Sequence, residues 1–198
     1  MSLRRARVSR RSAALIAVAL TSLLCSLAAA RKASAGAETN AKVEHQEAFT
    51  VVGVAVRTSN AKEATPDGII GKQWARLMQE NLLAAIPNKA DRNIVAVYTD
   101  YASDKDGEYT YVLGARVTKA ENIPAGMVAK EVPAGRYAVF TSDRGPVQQA
   151  VVATWNRIWA TPKDAPGGDR AYKTDFELYD QRAQNPADSV VEIHIGIR

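Results

Sequence analysis

The segment IVAVYTDYASDKDGEYTYVLG, residues 94–114, contains two β-rich runs separated by a polar turn. Val, Ile, Tyr and Thr dominate both runs, which is typical of strands. The intervening SDKDG combines Asp with Gly, and Gly107 offers the positive φ that tight hairpin turns favour. This segment therefore predicts an antiparallel hairpin with strands at 94–101 and 108–118.

The flanking sequence predicts two similar units around this hairpin. The other predicted elements are strands at 49–57, 127–132, 136–142, 173–180 and 189–198, and helices at 67–85 (capped by Thr65) and 147–159. Their order gives two βαββ repeats, residues 49–118 and 136–198. We therefore expect an α+β fold in which both helices pack on one face of an antiparallel sheet. The other face is expected to curve into a cleft.

The charge balance argues against a nucleic-acid partner. The 198 residues include 26 Lys and Arg and 21 Asp and Glu, a net charge of +5. Seven basic residues and no acid lie in residues 1–35, so residues 36–198 carry 19 basic and 21 acidic residues. Such a balance lacks the basic surface that phosphate contacts require.

Residues 1–35 have the pattern of an export signal. A basic segment from Arg4 to Arg11 precedes an apolar run from Ala13 to Ala30, and Ala33-Ser34-Ala35 fits a cleavage site. The run is shorter than the roughly 20 apolar residues of a membrane span. We therefore expect a cleaved signal, no stable membrane insertion and a periplasmic or secreted protein. Ser9-Arg10-Arg11 is compatible with twin-arginine export.

Removal of that signal would leave a flexible polar spacer at 36–47 and one domain at 48–198. The only cysteine, Cys25, lies within the signal, and His45 and His194 are the only histidines. A structural zinc site takes about four Cys or His ligands. We therefore expect no metal ion, and no sequence motif indicates a cofactor.

Five segments together resemble the gyrase-inhibitor-like (GyrI-like) effector-binding family. In chain order they are VVGVAVRTSN (51–60), AVYTDYxSDxxGEYTY (96–111), IPAGM (123–127), VPAGRYAVFTS (132–142) and DFELYD (175–180). Related domains form the effector half of AraC-type and multidrug-responsive transcription regulators. The resemblance covers about residues 45–198 and implies the two-repeat fold. It also implies that the cleft is aromatic and binds a small organic molecule, and it favours a lipophilic cation as that molecule.

Glu177 is the main candidate for ligand binding. Alternation along the strand puts Glu177 and Tyr179 on the face opposite Phe176 and Leu178. The family's multidrug-binding members use a Glu in this Phe-Glu-x-Tyr context, so the resemblance implies that Glu177 is the drug-binding acid. The carboxylate would supply the counter-charge, and aromatic rings would add cation–π attraction of about 0.5–2 kcal/mol each. The residue type alone indicates instead a solvated Glu paired with Lys or Arg.

Eight further residues are candidates for the cleft wall. They are Tyr98, Tyr109, Tyr111, Tyr179, Trp74, Trp159, Phe140 and Met127. Aromatic residues also favour plain packing between paired strands, so each tyrosine keeps that alternative. Trp155 is expected in the core, and Tyr101 on the face opposite Tyr98.

The expected function is that of an exported, stand-alone module that captures or senses small organic cations. Nothing upstream of Phe49 resembles a helix-turn-helix, so regulation of transcription is not expected. The alternative is a hydrolase of small reactive compounds, an activity found in the superfamily, with Glu177 as general base. A binding module is favoured over an enzyme. A partner-binding or haem-carrying module ranks last because neither His45 nor His194 has an evident axial position.

Overall fold

The computed structural model describes residues 41–198, so the predicted signal and the first residues of the predicted spacer lie outside it. The elements are β1 (Lys42–Gln46), β2 (Phe49–Ser59), α1 (Asn60–Glu63), α2 (Ile70–Gln79), α3 (Leu82–Ala85), β3 (Ile94–Thr99), β4 (Glu108–Val117), β5 (Val128–Val132), β6 (Gly135–Thr141), α4 (Val147–Ala160), β7 (Arg170–Tyr179), a 3-10 turn (Gln181–Ala183) and β8 (Glu192–Ile197). Among the helices of this range, none is both long and apolar enough to cross a membrane.

The strands form one antiparallel sheet in the order β1-β6-β8-β7-β3-β4-β2-β5. The predicted repeats, β2 to β4 and β6 to β8, meet where β3 pairs with β7. The short strand that precedes each repeat pairs with the other repeat, because β1 lies beside β6 and β5 lies beside β2. The α+β class and the antiparallel two-repeat sheet are thus confirmed.

The face of the sheet away from the helices curls onto itself. The rings of Phe49 on β2 and Phe176 on β7 are 5.2 Å apart although two strands separate β2 from β7, and Tyr137 on β6 lies 5.5 Å from Phe176. Buried side chains from five further positions fill the space between them: Val51, Val95, Val97, Val112 and Val132. The expectation of an open cleft on this face is therefore wrong, since the curled sheet fills it with its own apolar side chains.

Two glycines allow β2 and β4 to approach closely. Gly53 pairs with Gly114 in register. A Cβ at Gly53 would lie 2.2 Å from the carbonyl oxygen of Leu113, and one at Gly114 would lie 2.0 Å from that of Val52. Since no side chain tolerates such contacts, the tight crossing depends on both glycines.

The predicted helix at 67–85 is interrupted. It forms α2 and α3, which are separated at Asn81, where φ is 49°. The predicted cap, Thr65, is not adjacent to the helix, because α2 begins at Ile70. The carboxylate of Glu63, at the end of the unpredicted helix α1, instead accepts hydrogen bonds of 3.0–3.1 Å from the first free N–H groups. An acid from a preceding helix therefore performs the capping role.

The predicted flexible spacer is wrong for residues 42–46, which form β1. This strand pairs with β6 from Lys42↔Val139 to Gln46↔Gly135. Its side chains are mostly exposed, which explains its polar sequence. An edge strand needs backbone hydrogen bonds on one side only and can carry charged side chains.

Candidate functional site

A cavity of about 620 Å³ lies between the sheet and the helices. Strands β3, β4 and β7 supply Tyr98, Tyr109 and Glu177, while α2 and α4 supply Trp74 and Trp155. The cavity is therefore on the helix face of the sheet. This corrects the expectation that helices and cleft occupy opposite faces, because the side chains of α4 reach down to Glu177.

Glu177 is almost completely buried, with 1% of its surface exposed. Its Oε1 accepts hydrogen bonds from Tyr98 Oη at 2.8 Å and from Trp155 Nε1 at 2.6 Å, and its Oε2 accepts one from Tyr179 Oη at 2.6 Å. All three donors are neutral, and no cationic side chain in residues 41–198 compensates the carboxylate. The alternative of a solvated, ion-paired Glu is therefore wrong for this position.

The environment of Glu177 perturbs its ionisation. Burial raises the pKa of the carboxyl group above its ordinary value, and the hydrogen bonds from Trp155, Tyr179 and Tyr98 partly offset this rise. Burial and the charge of Glu177 together raise the pKa of Tyr98 and of Tyr179 well above the usual value for tyrosine. Both phenols consequently remain neutral donors.

Aromatic rings surround this carboxylate on several sides. The ring centroid of Tyr98 lies 5.1 Å from that of Trp155 and 5.4 Å from that of Tyr109. Trp74 contacts Tyr179 edge-on at 4.7 Å. Since these side chains also line the cavity, its wall presents π-electron surface next to a buried acid. A lipophilic cation is attracted by both features.

Six of the nine predicted site residues line the cavity. They are Glu177, Tyr179, Tyr98, Tyr109, Trp74 and Trp159. The other three, Tyr111, Phe140 and Met127, do not line it within the described chain. Tyr111 is fully buried with its ring edge-on to that of Tyr98, Phe140 is buried in the core between sheet and helices, and Met127 packs against the core. Alternation identifies the face of a strand but not how deeply a side chain lies beneath its neighbours.

Two further aromatic residues reach the cavity against expectation. Trp155 is buried as predicted, but its indole N–H also reaches Glu177. Tyr101 was expected on the face opposite Tyr98, yet it lines the same cavity. Asp100 between them has a φ of 53°, which ends the alternation of β3. The sequence does not indicate that Asp100 adopts a left-handed conformation at the end of β3. Gly107 is the residue of this hairpin for which the sequence predicts a positive φ.

Sequence reasoning also missed a buried ion pair at the cavity wall. Arg170 donates from Nη2 to Asp175 Oδ2 at 2.6 Å, and its guanidinium lies 4.5 Å from the ring centroid of Tyr172. Asp175 also accepts from Tyr101 Oη at 2.7 Å and from the backbone N–H of Gly196 at 2.9 Å. The charge of Arg170 is thus compensated within the pair and does not serve Glu177.

Residues 42–197 match the family model described as Cass2, integron-associated effector binding protein. The chain belongs to this family. The match spans both βαββ repeats and every residue of the site, and it confirms the resemblance to GyrI-like effector-binding domains. The chain is therefore a member of a small-molecule effector-binding family.

Two relatives, one of similar length and one longer, are similar in sequence to most of this chain. YobU of Bacillus subtilis (strain 168), named for a role in transcriptional regulation, is 32% identical over 157 residues, which are 79% of this chain and 96% of YobU. The transcriptional regulator BrlR of Pseudomonas aeruginosa is 32% identical over 160 residues, 80% of this chain. The match covers 55% of BrlR, so the chain spans about half the length of that regulator.

Two solved structures share the fold. The integron cassette protein VCH_CASS2 of Vibrio cholerae is 31% identical, with a TM-score of 0.61 over 79% of this chain and 95% of the cassette protein. SAV2435, solved bound to tetraphenylphosphonium, has a TM-score of 0.60 over 80% of this chain and 94% of SAV2435. At 19% identity this second likeness shows the fold alone.

Proposed function

We propose that this Cass2-family protein binds a lipophilic organic cation in the cavity between sheet and helices, with Glu177 as the counter-charge. The observation that carries the proposal is the buried carboxylate of Glu177, which has three neutral donors and no cationic partner in the described residues. An uncompensated carboxylate in an apolar environment is costly. A ligand cation would supply the missing charge.

The size and lining of the cavity support the same proposal. Its volume of about 620 Å³ falls within the roughly 300–1,000 Å³ typical of small-molecule sites. The rings of Trp74, Tyr98 and Trp155 border it, so a cation would meet aromatic surface as well as the carboxylate. The fold relative SAV2435 was solved with an aromatic phosphonium, which makes tetraphenylphosphonium a suitable first probe.

The test is an equilibrium titration of the purified protein with tetraphenylphosphonium and with neutral triphenylphosphine oxide. Three tryptophans, Trp74, Trp155 and Trp159, line the cavity, so intrinsic fluorescence reports occupancy. The proposal expects saturable quenching by the cation and at least tenfold weaker binding of the neutral compound. Equal affinity for both would contradict the role of the counter-charge.

We further propose that the protein is exported to the periplasm or secreted, and that it has no nucleic-acid partner. The basic segment, apolar run and small-residue site in residues 1–35 support export. The balanced charge of residues 36–198 speaks against a phosphate-binding surface. Cell fractionation with a periplasmic marker, combined with the mass of the mature chain, tests export. A full-length protein in the cytoplasm would contradict it.

Hydrolysis of a small reactive compound is the second candidate function. The observation that favours it is the raised pKa of Glu177 together with the 2.6 Å hydrogen bond from Tyr179, since a general base works best with a pKa near the operating pH. Mass spectrometry of the incubated ligand distinguishes the two functions. Product formation that disappears in Glu177→Gln would favour the enzyme, whereas an unchanged ligand would favour the binding protein.

A further inference from the structure

A second acid, Glu63, lines the same cavity as Glu177. Its carboxylate accepts hydrogen bonds from the N–H groups of Ile69 and Ile70 and from the hydroxyl of Thr58. These contacts hold the carboxylate in one position. All of the donors are neutral, and the start of a helix offers only about half a positive charge. No full positive charge therefore compensates the Glu63 carboxylate among these hydrogen-bond partners.

The cationic side chains around the cavity are already paired. They form the pairs Arg170–Asp175 at 2.6 Å and Lys105–Asp106 at 2.7 Å. By contrast, the partners of Glu63 and Glu177 within residues 41–198 are all neutral. When both acids are ionised, the cavity consequently presents two separate negative charges to a ligand.

Two tyrosine rings lie between these acids. Tyr98 donates to Glu177 at 2.8 Å, and the ring of Tyr109 lies beside that of Tyr98 with centroids 5.4 Å apart. The hydroxyl of Tyr109 donates to Asn60 Oδ1 at 3.1 Å, and Asn60 shares the single turn of α1 with Glu63. A ligand that reaches both carboxylates must therefore extend along two aromatic rings.

Gly68 leaves Glu63 open to the cavity. A Cβ at this position would lie 3.0 Å from Glu63 Oε2, and Gly68 itself lines the cavity. Its φ is not in the left-handed region, so backbone conformation does not demand glycine here. The missing side chain instead gives a ligand access to the carboxylate oxygen.

We infer that the preferred ligands of this cavity are elongated aromatic molecules with two cationic centres, one held at Glu177 and the other at Glu63. The inference rests on the proposed cation-binding function and specifies its ligand class. Glu63 is half-buried, so its pairing with a cation is stronger than that of a fully exposed pair. We expect a dication to bind about tenfold more tightly than the matched monocation.

The experiment compares two ligands with one aromatic skeleton. The first carries a trimethylammonium group at each end, and in the second one of these groups is replaced by the neutral, equally sized tert-butyl group. Calorimetry gives the ratio of the two dissociation constants for the full protein. We expect a ratio of about ten in the wild type and of about one in Glu63→Gln. Glu80→Gln is the matched control, because Glu80 is an exposed acid that pairs with Arg76 and does not line the cavity; this variant should keep the wild-type ratio.

Gly68→Ala provides a second variant that retains the carboxylate of Glu63. Its added Cβ would crowd Oε2, so the ratio should fall here as well. A wild-type ratio near one, or a ratio near ten that is retained in Glu63→Gln, would overturn the inference while leaving monocation binding intact. Monocation binding that is absent, or that is unaffected by Glu177→Gln, would instead overturn the proposed function itself.

Discussion

Replacing Glu177 by Gln separates the charge of this side chain from its shape. The amide oxygen can still accept from Tyr98 and Trp155, as Oε1 does in the wild type, and Tyr179 can turn its hydroxyl to accept from the new NH₂ group. The variant therefore keeps the packing of the cavity but lacks the negative charge.

The expected loss of affinity follows from Coulomb's law. A bound cation about 5 Å from the carboxylate, with an effective dielectric constant of about 20, gains about 3 kcal/mol. Because about 1.4 kcal/mol corresponds to a tenfold change, Glu177→Gln should raise the dissociation constant of tetraphenylphosphonium about 100-fold. Stability should not fall in parallel, since the variant no longer buries an uncompensated charge.

The assay is a titration of tryptophan fluorescence with tetraphenylphosphonium at pH 7, supported by calorimetry and by thermal unfolding without ligand. Glu131→Gln is the matched control, because Glu131 is an exposed acid on strand β5 and is remote from the lining of the cavity. The dissociation constant of tetraphenylphosphonium for Glu131→Gln should equal that for the wild type. If Glu177→Gln binds the cation within about threefold of the wild type, the counter-charge reasoning is wrong.

Four further predictions concern Glu177 and the ion pair at the cavity wall. Because burial raises the pKa of Glu177 above its unfolded value near 4.5, cation affinity should rise with pH through that raised pKa, and calorimetry in two buffers should detect proton release. In the ligand-free protein the folded state holds this proton more tightly, so the stability that Glu177 contributes should decline as pH rises above about 4.5, a decline absent from Glu177→Gln. Trp155→Phe removes one donor to Glu177, so titration at pH 7 should show several-fold weaker cation binding. Arg170→Leu leaves the buried charge of Asp175 without its partner. The free energy of unfolding, measured by urea denaturation, should therefore fall by about 3–5 kcal/mol. The double variant with Asp175→Leu should recover part of it.

The fold was predictable because its signals are local. The hairpin at 94–118, the helix at 147–159 and the order of strands follow from alternation and helical spacing, which depend on neighbouring residues alone. Strand β1 was not predictable in this way. Residues 42–46 are polar and gain their order from backbone hydrogen bonds to β6, about 90 residues further along the chain.

Local sequence patterns also could not predict which face of the sheet holds the cavity. Alternation correctly separated Glu177 from Phe176, but it could not say which of the two faces carries the helices. In the structure, Phe176 lies on the curled face of the sheet, whereas Glu177 lies on the face that packs against the helices. The family resemblance supplied the identity of the acid, whereas its neutral hydrogen-bond donors come from β3, β7 and α4 and meet only in the folded chain.

Glu63 illustrates a different limit. Its capping role depends on hydrogen bonds that its carboxylate accepts from two parts of the chain. One comes from Thr58, earlier in the sequence, and the others come from the start of α2, later in the sequence. A Thr-Pro-Asp segment, a conventional helix start, begins two residues after Glu63 in the sequence. Because this local pattern predicts a cap at Thr65, the sequence did not indicate that Glu63 caps α2 or that Glu63 lines the cavity.

The exchange of β1 and β5 between the two repeats makes this domain a natural candidate for splitting. Cleavage between β4 and β5 would leave fragment 41–120 with β1, whose partner β6 lies in the other piece, and fragment 121–198 with β5, whose partner β2 lies in the first. The β3–β7 pair adds a third junction. Separately expressed halves should therefore recombine into one domain. Because Tyr98 comes from one fragment and Glu177 from the other, recovery of cation binding would report their reassembly.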